Sequence, residues 1–430
     1  MCFTMKLISR VDIDPILFPK NISKEEKHNR IFQLSKIHAL NYLESNTNIT
    51  ITSKTFQPNI RQAFGSLHVV EMRVGKPTYP TFMLLDTGAD DTWLQCDGCI
   101  QPNCFPIING NYKYLKSQTF KVVSCNDPLC VPKRCSPTGN KCLYSIEYEG
   151  GASSKGLVLS ETFTFPNPND KNNPLVSFNG VVFGCGLINK NIVFGKNPEN
   201  KIGGIFGLGT GPRSFLSQLS AETKMRLSYC LSLEPPSYLH FGDDAKIRGN
   251  FKTTQLLTKT GNIKLTRYYV VCTGISLSGT MLAIDPKLFE LKSGETGGFV
   301  FDSGSDVTFL VEGAFNVLKK NVIDYFEKNY KLHPFIGHNT GFELCYHNVP
   351  NNVVKPWIVY HFKGGADFKV DSNKLFLSID EKKLLCLTVG TVKDEKVPNI
   401  LGARHQSDHD ILFDVQKNEV SFSPMPHTCT

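Results

Sequence analysis

Short runs of alternating apolar and polar residues, separated by glycine and proline, make up most of the chain after its first 60 or so residues. Residues 67–74 and 81–85 form the first pair of such runs, and Gly75-Lys76-Pro77 between them favours a turn. The sequence therefore predicts a β-hairpin here. In this part of the chain, only residues 214–224 and 312–328 have the spacing and length expected of helices. The pattern predicts a mainly β protein.

Residues 1–60 differ from the rest because they are charged, rich in asparagine and without visible strand alternation. Apolar residues recur at every third position within 25–43, which predicts an amphipathic helix, and the polar run 44–54 predicts a linker. Asn21 and Asn48 each begin an Asn-x-Ser/Thr glycosylation sequence, which is used only if the segment enters the secretory pathway. The simplest interpretation is a detachable, propeptide-like segment and linker.

A weak internal repeat divides the remainder of the chain. In each half an apolar strand ends in Asp-Thr-Gly or Asp-Ser-Gly, at Asp86 and Asp302, and two apolar residues with a glycine follow later, at 205–207 and 400–402. Two lobes of one design, each rich in β-strands, explain this repetition. The predicted lobes are 61–245, which contains Asp86 and a cysteine-rich insert, and 246–430, which contains Asp302.

Length and composition agree with two soluble lobes. A chain of 430 residues is long for one compact domain, and no apolar stretch is long enough to cross a membrane. The net charge is +8, from 47 Lys and Arg against 39 Asp and Glu, but the basic residues are scattered rather than gathered on one stripe. We therefore predict neither nucleic acid nor a membrane as a partner.

Fourteen cysteines are more informative, because seven of them fall within 96–142. A zinc site would need a second pair to match Cys96-x-x-Cys99, and none follows; a reduced cluster would expose many thiols. Disulfides are favoured, which predicts a secreted or vacuolar protein, with Cys2 and Cys272 unpaired. The first ten residues contain no signal peptide, so we expect that the chain starts downstream of the true N-terminus.

Asp86 and Asp302 are the candidate catalytic residues. A single Asp-Thr-Gly is more often an ordinary turn, but two of them in matching positions are harder to attribute to chance. Two carboxylates within hydrogen-bond reach cannot both ionise cheaply, so one keeps a proton while the other stays charged. The ionised group can activate a water, and the protonated group can bond to a peptide carbonyl oxygen. This chemistry requires no metal and no cofactor.

The residues after each aspartate suit this chemistry. Gly88 and Gly304 allow two tight loops to approach each other closely. The hydroxyls of Thr87 and Ser303 can lock the loops together, and Ser305 offers a further hydroxyl to Asp302. We expect these five residues to support the carboxylate pair.

Together the motifs resemble those of the pepsin family of bilobal aspartic proteases, and in particular its plant nepenthesin-like branch. The resemblance covers most of the chain, and the first 45 residues resemble the propeptide of that branch. Besides the two aspartate motifs it rests on Trp93-x-Gln95-Cys96-x-x-Cys99, Tyr144-x-x-x-Tyr148, Glu161-Thr162-Phe163-Thr164-Phe165, Phe183-Gly184-Cys185-Gly186, Gly207-x-Gly209-x-Gly211-Pro212, Ser228-Tyr229-Cys230, and Tyr268-Tyr269 before Gly274-Ile275-Ser276.

The resemblance implies a pepsin-like fold with its active site in the cleft between the lobes, and a polypeptide substrate. It implies that Tyr148 lies on the hairpin flap that closes over the substrate, with Trp93 beside it; an ordinary strand aromatic is the alternative for Tyr148. It also implies that the first 60 or so residues cover the cleft, with a Lys or Arg near the carboxylates. Since two lobes complete the site, we expect a monomer.

Four departures from that family's pattern bear on activity. Ala89 stands where a serine usually bonds the first carboxylate, so the working pH should rise; retroviral proteases share this alanine. Residues 149–152 change the usual flap tip, which predicts reduced or altered specificity. Asp306 adds an acid near the site, and 402–406 lack the usual Gly-Asn and Gln-rich run.

Two other functions remain open. A catalytically silent binding protein of the same fold, such as an inhibitor of glycoside hydrolases, would usually have lost an aspartate or its flap tyrosine, and this chain keeps both. A cysteine-rich structural protein without a cleft would not explain the duplicated motifs.

Overall fold

Our structure is a computed structural model. It describes residues 3–9, 67–148, 152–166, 175–192, 200–232, 237–335, 341–379, 384–425 and 429. The helix predicted at 25–43, the linker at 44–54 and both glycosylation sequences lie outside these residues.

Twenty-eight strands in the described residues confirm the mainly β class. The first eleven are β1 Phe3–Ser9, β2 His68–Val74, β3 Tyr79–Asp86, β4 Trp93–Gln95, β5 Lys121–Val122, β6 Leu143–Tyr148, β7 Ala152–Pro166, β8 Leu175–Lys190, β9 Ile202–Gly207, β10 Arg226–Cys230 and β11 Ser237–Phe241. The next nine are β12 Lys252–Thr260, β13 Ile263–Val270, β14 Cys272–Leu277, β15 Thr280–Met281, β16 Leu291–Lys292, β17 Thr296–Gly297, β18 Phe299–Asp302, β19 Thr308–Val311 and β20 Cys345–His347. The last eight are β21 Ile358–Phe362, β22 Ala366–Val370, β23 Phe376–Ile379, β24 Leu384–Leu387, β25 Val389–Val392, β26 Asn399–Gly402, β27 His409–Asp414 and β28 Glu419–Pro424.

The same arrangement of strands occurs in both β-rich lobes. Strand β3 runs parallel to β9, so that Asp86 lies beside Gly207, and β4 pairs with β9 in the opposite direction. In the second lobe β18 runs parallel to β26, so that Asp302 lies beside Gly402, and β19 pairs with β26 in the opposite direction. The apolar-apolar-glycine triplets of the repeat are therefore the strands that flank the two aspartates.

An antiparallel sheet joins the lobes. Its strands follow the order β1, β11, β10, β27, β28 and β12. The description of residues 1–60 as without strand alternation does not hold for Phe3–Ser9, because β1 inserts between β11 and β2, with Leu7 opposite Val70. Met5 is buried in the core. Phe3, Met5 and Leu7 do alternate with polar residues, but seven residues give only a weak signal.

The helices differ in how closely they follow the predictions. They are α1 Phe215–Gln218, α2 Ser220–Thr223, α3 Glu312–Tyr330, α4 Ser372–Leu375 and α5 Ala403–Gln406, with 3₁₀ turns at Tyr114–Lys116, Gly242–Asp244, Pro286–Phe289 and Ser293–Glu295. The helix predicted at 312–328 is α3. The helix predicted at 214–224 is two short helices, because Leu219 leaves helical geometry at φ −106° and ψ 36°. The hairpin of β2 and β3 is as predicted, with Gly75 in the left-handed region.

Six disulfides confirm the interpretation of the cysteines. They are Cys96–Cys185, Cys99–Cys104, Cys125–Cys135, Cys130–Cys142, Cys230–Cys429 and Cys345–Cys386. Cys272 is free and buried, and burial raises the pKa of its thiol to about 12. Cys2 lies outside the described residues. No helix in the described parts of the chain has the length and apolar character needed to cross a membrane.

Candidate active site

Asp86 and Asp302 end two strands that meet where the lobes join, and both are fully buried. Each carboxylate packs against the glycine of the opposite loop. A methyl group added to Gly88 would lie 2.8 Å from Asp302 Oδ1, and one added to Gly304 would lie 2.5 Å from Asp86 Oδ1. Only glycine allows this approach, because any larger side chain would push the two loops apart.

Each aspartate accepts a hydrogen bond from the glycine that follows it in its own loop. The amide of Gly88 donates to Asp86 Oδ1 and the amide of Gly304 donates to Asp302 Oδ1, both at 2.8 Å. These bonds fix the direction of both carboxylates from the backbone. The two loops therefore present matching acceptor groups to one shared space.

The residue directly after each aspartate forms hydrogen bonds with the other lobe. The amide of Thr87 donates to Ser303 Oγ at 3.1 Å, and the amide of Ser303 donates to Thr87 Oγ1 at 2.9 Å. Both hydroxyls also donate to main-chain oxygens of the opposite strand, at Phe301 and Leu85. All of these groups are buried, so water cannot replace the bonds.

The pair is asymmetric where the sequence departs from its relatives. Ser305 Oγ donates to Asp302 Oδ2 at 3.0 Å, whereas Ala89, at the equivalent place beside Asp86, has no hydroxyl to donate. A hydrogen bond to a carboxylate favours its charged form. The charged form of Asp302 is therefore stabilised by a hydroxyl that position 89 cannot offer to the charged form of Asp86.

The internal repeat extends beyond the aspartate motifs. Thr92 and Thr308 both follow their aspartate by six positions, and their hydroxyls accept the amides of Gly207 and Gly402, each at 3.2 Å. Asp90 and Asp306 likewise both follow by four positions. Asp306, which the sequence singled out as an extra acid, therefore has a counterpart in the first lobe.

Asp90 is a site residue that the sequence did not indicate. Its Oδ1 accepts the amide of Gly211 at 2.8 Å, and it also hydrogen-bonds to the side chain of Thr266 of the second lobe. Burial raises the pKa of this carboxyl to about 6, against the opposing effects of these bonds and of Arg267. Asp90 is thus a titratable contact between the lobes, close to the candidate catalytic pair.

Tyr229 is a second residue whose position sequence reasoning missed, although it belongs to the Ser228-Tyr229-Cys230 motif. It is fully buried in β10, hydrogen-bonds to Thr87, and donates from its hydroxyl to Gln406 Oε1. Burial, followed by the charge of Asp302, holds the pKa of Tyr229 well above its usual range. Tyr229 therefore supports Thr87 from the joining sheet.

Residues 402–406 form α5 and the turn before it. The Arg404 guanidinium is held by main-chain oxygens of the second lobe, since Nε donates to the carbonyl of Lys374 and Nη2 to that of Asn373. His405 is fully buried with the hydroxyls of Thr308, Tyr360 and Thr388 around its ring. Burial and the neighbouring Arg404 lower the pKa of His405 to about 3. The departure from a Gln-rich run thus places a neutral histidine in the core of the second lobe.

The predicted flap residues are only partly described. Trp93 is fully buried in β4, with its ring at an edge-to-face angle to Phe105. Tyr148 ends β6, and its backbone pairs with Ala152 at the start of β7. Its side chain and residues 149–151 lie outside the described part, so the roles of Tyr148 and Trp93 stay predictions.

Two β-rich lobes of one design, with an aspartate loop from each meeting at their junction, define the class of pepsin-like aspartic proteases. Two family models match the chain: Xylanase inhibitor N-terminal over residues 68–243 and Xylanase inhibitor C-terminal over residues 267–424. Among similar proteins is "Aspartic proteinase nepenthesin-1" of Nepenthes gracilis, 31% identical over 83% of this chain and 77% of its own. The chain belongs to this plant branch of the pepsin-like aspartic protease family.

Other similar proteins support the same family or the same fold. "Aspartyl protease family protein 2" of Arabidopsis thaliana is 30% identical over 83% of this chain and 70% of its own, and "Aspartic proteinase nepenthesin-2" of Nepenthes gracilis is 27% identical over 96% and 89%. The solved structures of edgp and of soybean Basic 7S globulin superpose with TM-scores of 0.68 and 0.65, at 17% and 18% identity, each over 84% of this chain and 92% of the other. At such identities these two structures support the fold alone.

Proposed function

We propose that the protein is an aspartic endopeptidase that hydrolyses polypeptides at acidic pH with Asp86 and Asp302. The observation that carries this proposal is the mutual packing of each carboxylate on the glycine of the opposite loop. Thr87, Gly88, Ser303, Gly304 and Ser305 would hold the pair rigid through the bonds described above. No metal or cofactor takes part in this proposal.

The chemistry follows from two carboxyl groups in one buried space. One proton is shared unequally between them, because two adjacent negative charges are costly. The ionised group takes a proton from a water that attacks the peptide carbonyl carbon, while the protonated group donates to the carbonyl oxygen. The carboxyl group that took the water proton then gives it to the amide nitrogen, and the C–N bond breaks as the amine leaves. A hydroxyl proton of the intermediate returns to the other carboxylate, which restores the starting pair.

Hydrolysis of a denatured protein between about pH 3 and about pH 6.5 tests the proposal. The assay would use the full chain and material from which the first 60 or so residues have been removed, each with and without a statine-type inhibitor. We expect inhibitor-sensitive cleavage that the processed material performs faster. Asp302→Asn and Asp86→Asn should each lower kcat by about 100-fold or more.

Asp324→Asn is the matched control, because Asp324 lies on the exposed face of α3 beside Lys320. It should cleave as well as the wild type. An Asp302→Asn protein that is folded and equally active would disprove the mechanism.

A catalytically silent binding protein is the second candidate. The family models that match are described as xylanase inhibitors, and the hydroxyl at position 89 is missing. Such a protein would slow a fungal or bacterial xylanase at stoichiometric concentration without cleaving denatured protein. Intact Asp86 and Asp302 favour the endopeptidase, since binding alone requires neither.

We propose a secreted or vacuolar location and a monomeric state. Six disulfides are typical of an oxidising compartment. One chain supplies both aspartate loops, so the site needs no second copy. We also propose that residues 1–60 are the propeptide-like segment and linker, and that 61–245 and 246–430 are the two lobes.

A further inference from the structure

Arg267 connects the two loops that carry the candidate catalytic carboxylates. Its Nε donates to the main-chain oxygen of Gly88, in the turn after Asp86, at 3.2 Å. Arg267 directly precedes Tyr268, which pairs with strand β18, the strand that ends at Asp302. The side chain thus starts beside the strand of one aspartate and ends on the turn of the other.

Glu295 fixes the guanidinium in this position. Its Oε2 lies 3.2 Å from Arg267 Nη1, and its Oε1 accepts the amide of Thr266 at 3.1 Å. The Tyr269 hydroxyl donates to the main-chain oxygen of Glu295, also at 3.1 Å. The Arg267 and Glu295 side chains are only 13% and 10% exposed. A guanidinium held on several sides is ordered before substrate binds.

The first lobe has no arginine at the position equivalent to Arg267. In the first lobe Val69 pairs with Leu84, so Leu67 occupies the position that faces Asp86 in the neighbouring strand. Leu67 is buried and apolar, and it cannot make the equivalent bond to the second loop. Arg267 therefore supports the turn of Asp86, which is also the turn where Ala89 provides no hydroxyl.

We propose that Arg267 is a positioning residue for the peptide hydrolysis proposed above. It holds the Gly88 carbonyl, and with it the turn of Asp86, at the distance from Asp302 that the reaction needs. Its positive charge favours the ionised member of the pair. Among the described residues, the titratable groups that face the guanidinium include the carboxylates of Glu295 and Asp90 and the hydroxyl of Tyr269. The inference rests on the proposed function, because a positioning role needs a reaction.

Three substitutions in the full-length chain, processed in the same way as the wild type, test the proposal. Arg267→Met removes the bonds and the charge, and should lower kcat about 10- to 100-fold while KM changes less than about twofold. It should also move the acid limb of the kcat profile to higher pH by about half a unit. Arg267→Lys keeps the charge and should restore the acid limb but only part of kcat.

Glu295→Gln provides the decisive contrast. It keeps the arginine but removes a neighbouring negative charge, so the acid limb should move to lower pH, opposite to Arg267→Met. A merely structural pair would lower activity in both variants without opposite shifts. Arg248→Met is the control, because Arg248 forms an ion pair with Asp410, at 2.9 Å, in another part of the fold, with its own side chain 44% exposed. It should leave kcat and the acid limb unchanged.

The outcomes separate this inference from the proposed function. A wild type that cleaves and an Arg267→Met protein with the same kcat and acid limb would overturn the positioning role alone. If Arg267→Met does not fold, the other two variants decide. Arg267→Lys and Glu295→Gln proteins that both keep the kcat and the acid limb of the wild type would overturn the positioning role. A wild type that is folded, processed and inactive would overturn the endopeptidase and the positioning role together.

Discussion

Thr87 and Ser303 exchange hydrogen bonds across the junction of the lobes, each amide donating to the other residue's hydroxyl, at 3.1 and 2.9 Å. The exchange is reciprocal because the two loops have the same design. The two bonds couple the position of Asp86 to that of Asp302, because Thr87 and Ser303 are the buried residues directly after the two aspartates. Disturbing either hydroxyl should therefore affect stability and chemistry together.

Ser303→Ala should destabilise the protein by about 1–3 kcal/mol, since it leaves the buried Thr87 amide without its acceptor. We expect kcat to fall as well, because the spacing of the carboxylates is no longer fixed from both sides. Denaturant unfolding and steady-state cleavage measure the two effects. Ser303→Thr is the control, because it reproduces the residue at position 87 and keeps the hydroxyl. Equal stability and kcat in the two variants would contradict the prediction.

Ala89→Ser should move the acid limb of activity to lower pH. The new hydroxyl would take the place beside Asp86 that Ser305 Oγ takes beside Asp302, and such a bond favours the charged form. The expected shift is up to about one pH unit, and it belongs to the carboxyl pair rather than to one residue. Ser305→Ala makes the reverse change and should move the limb to higher pH. An unchanged limb in Ala89→Ser would show that the hydroxyl does not reach the pair.

The sequence predicted those parts of the fold that depend on local pattern and duplication. The hairpin into Asp86 and the long helix Glu312–Tyr330 followed from local periodicity, and the two lobes of one design followed from the repeat. The repeat located 205–207 and 400–402, but their pairing with the aspartate strands came from the structure. The predicted lobe boundaries and catalytic roles stay predictions, because geometry alone does not test them.

Other features depend on residues that are distant in the sequence. Strand β1 was not predicted, because its partners His68–Val74 and Ser237–Phe241 decide its conformation. Arg267 and Tyr229 gave no sequence signal of a role near the carboxylates, since Arg267 meets Gly88 and Tyr229 meets Gln406 only where the two lobes come together. The equal four-residue spacing of Asp90 and Asp306 from their aspartates was visible, and could have drawn attention to Asp90.

Asp90→Asn should stabilise the protein most above about pH 6. Burial raises the pKa of Asp90 from 3.8 to about 6 in the folded protein, so the folded state holds this proton more tightly than the unfolded chain. Its contribution to the free energy of unfolding is full below pH 3.8 and is lost as pH rises to about 6. Asparagine cannot ionise and can keep the bond from Gly211.

Denaturant unfolding at about pH 3.5, about pH 5 and about pH 7 measures this effect. The difference between Asp90→Asn and wild type should be small at the lowest pH and grow with pH. The exposed Asp324→Asn should show no such trend. A difference that is constant across the series would mean that burial does not penalise the Asp90 charge.

His405→Gln should make the protein more resistant to acid. His405 is buried with three hydroxyls around its ring, and its pKa is lowered to about 3 from 6.5 because burial disfavours the charge. The unfolded chain takes up this proton near pH 6.5 and the folded protein only near pH 3, so stability falls as pH drops through this window. Glutamine has a similar size, can bond to the same hydroxyls and does not titrate.

The loss of unfolding free energy between about pH 7 and about pH 3.5 should be smaller in His405→Gln than in wild type, even if the variant is slightly less stable at neutral pH. His409, whose pKa burial lowers to about 4, is present in both proteins, and its charge contributes to lowering the pKa of His405. His333→Gln is the control, because His333 lies on the surface with 73% of its side chain exposed. Parallel pH curves for His405→Gln and wild type would show that folding does not lower the pKa of His405. In that case, protonation of His405 would not reduce the stability of the protein in acid.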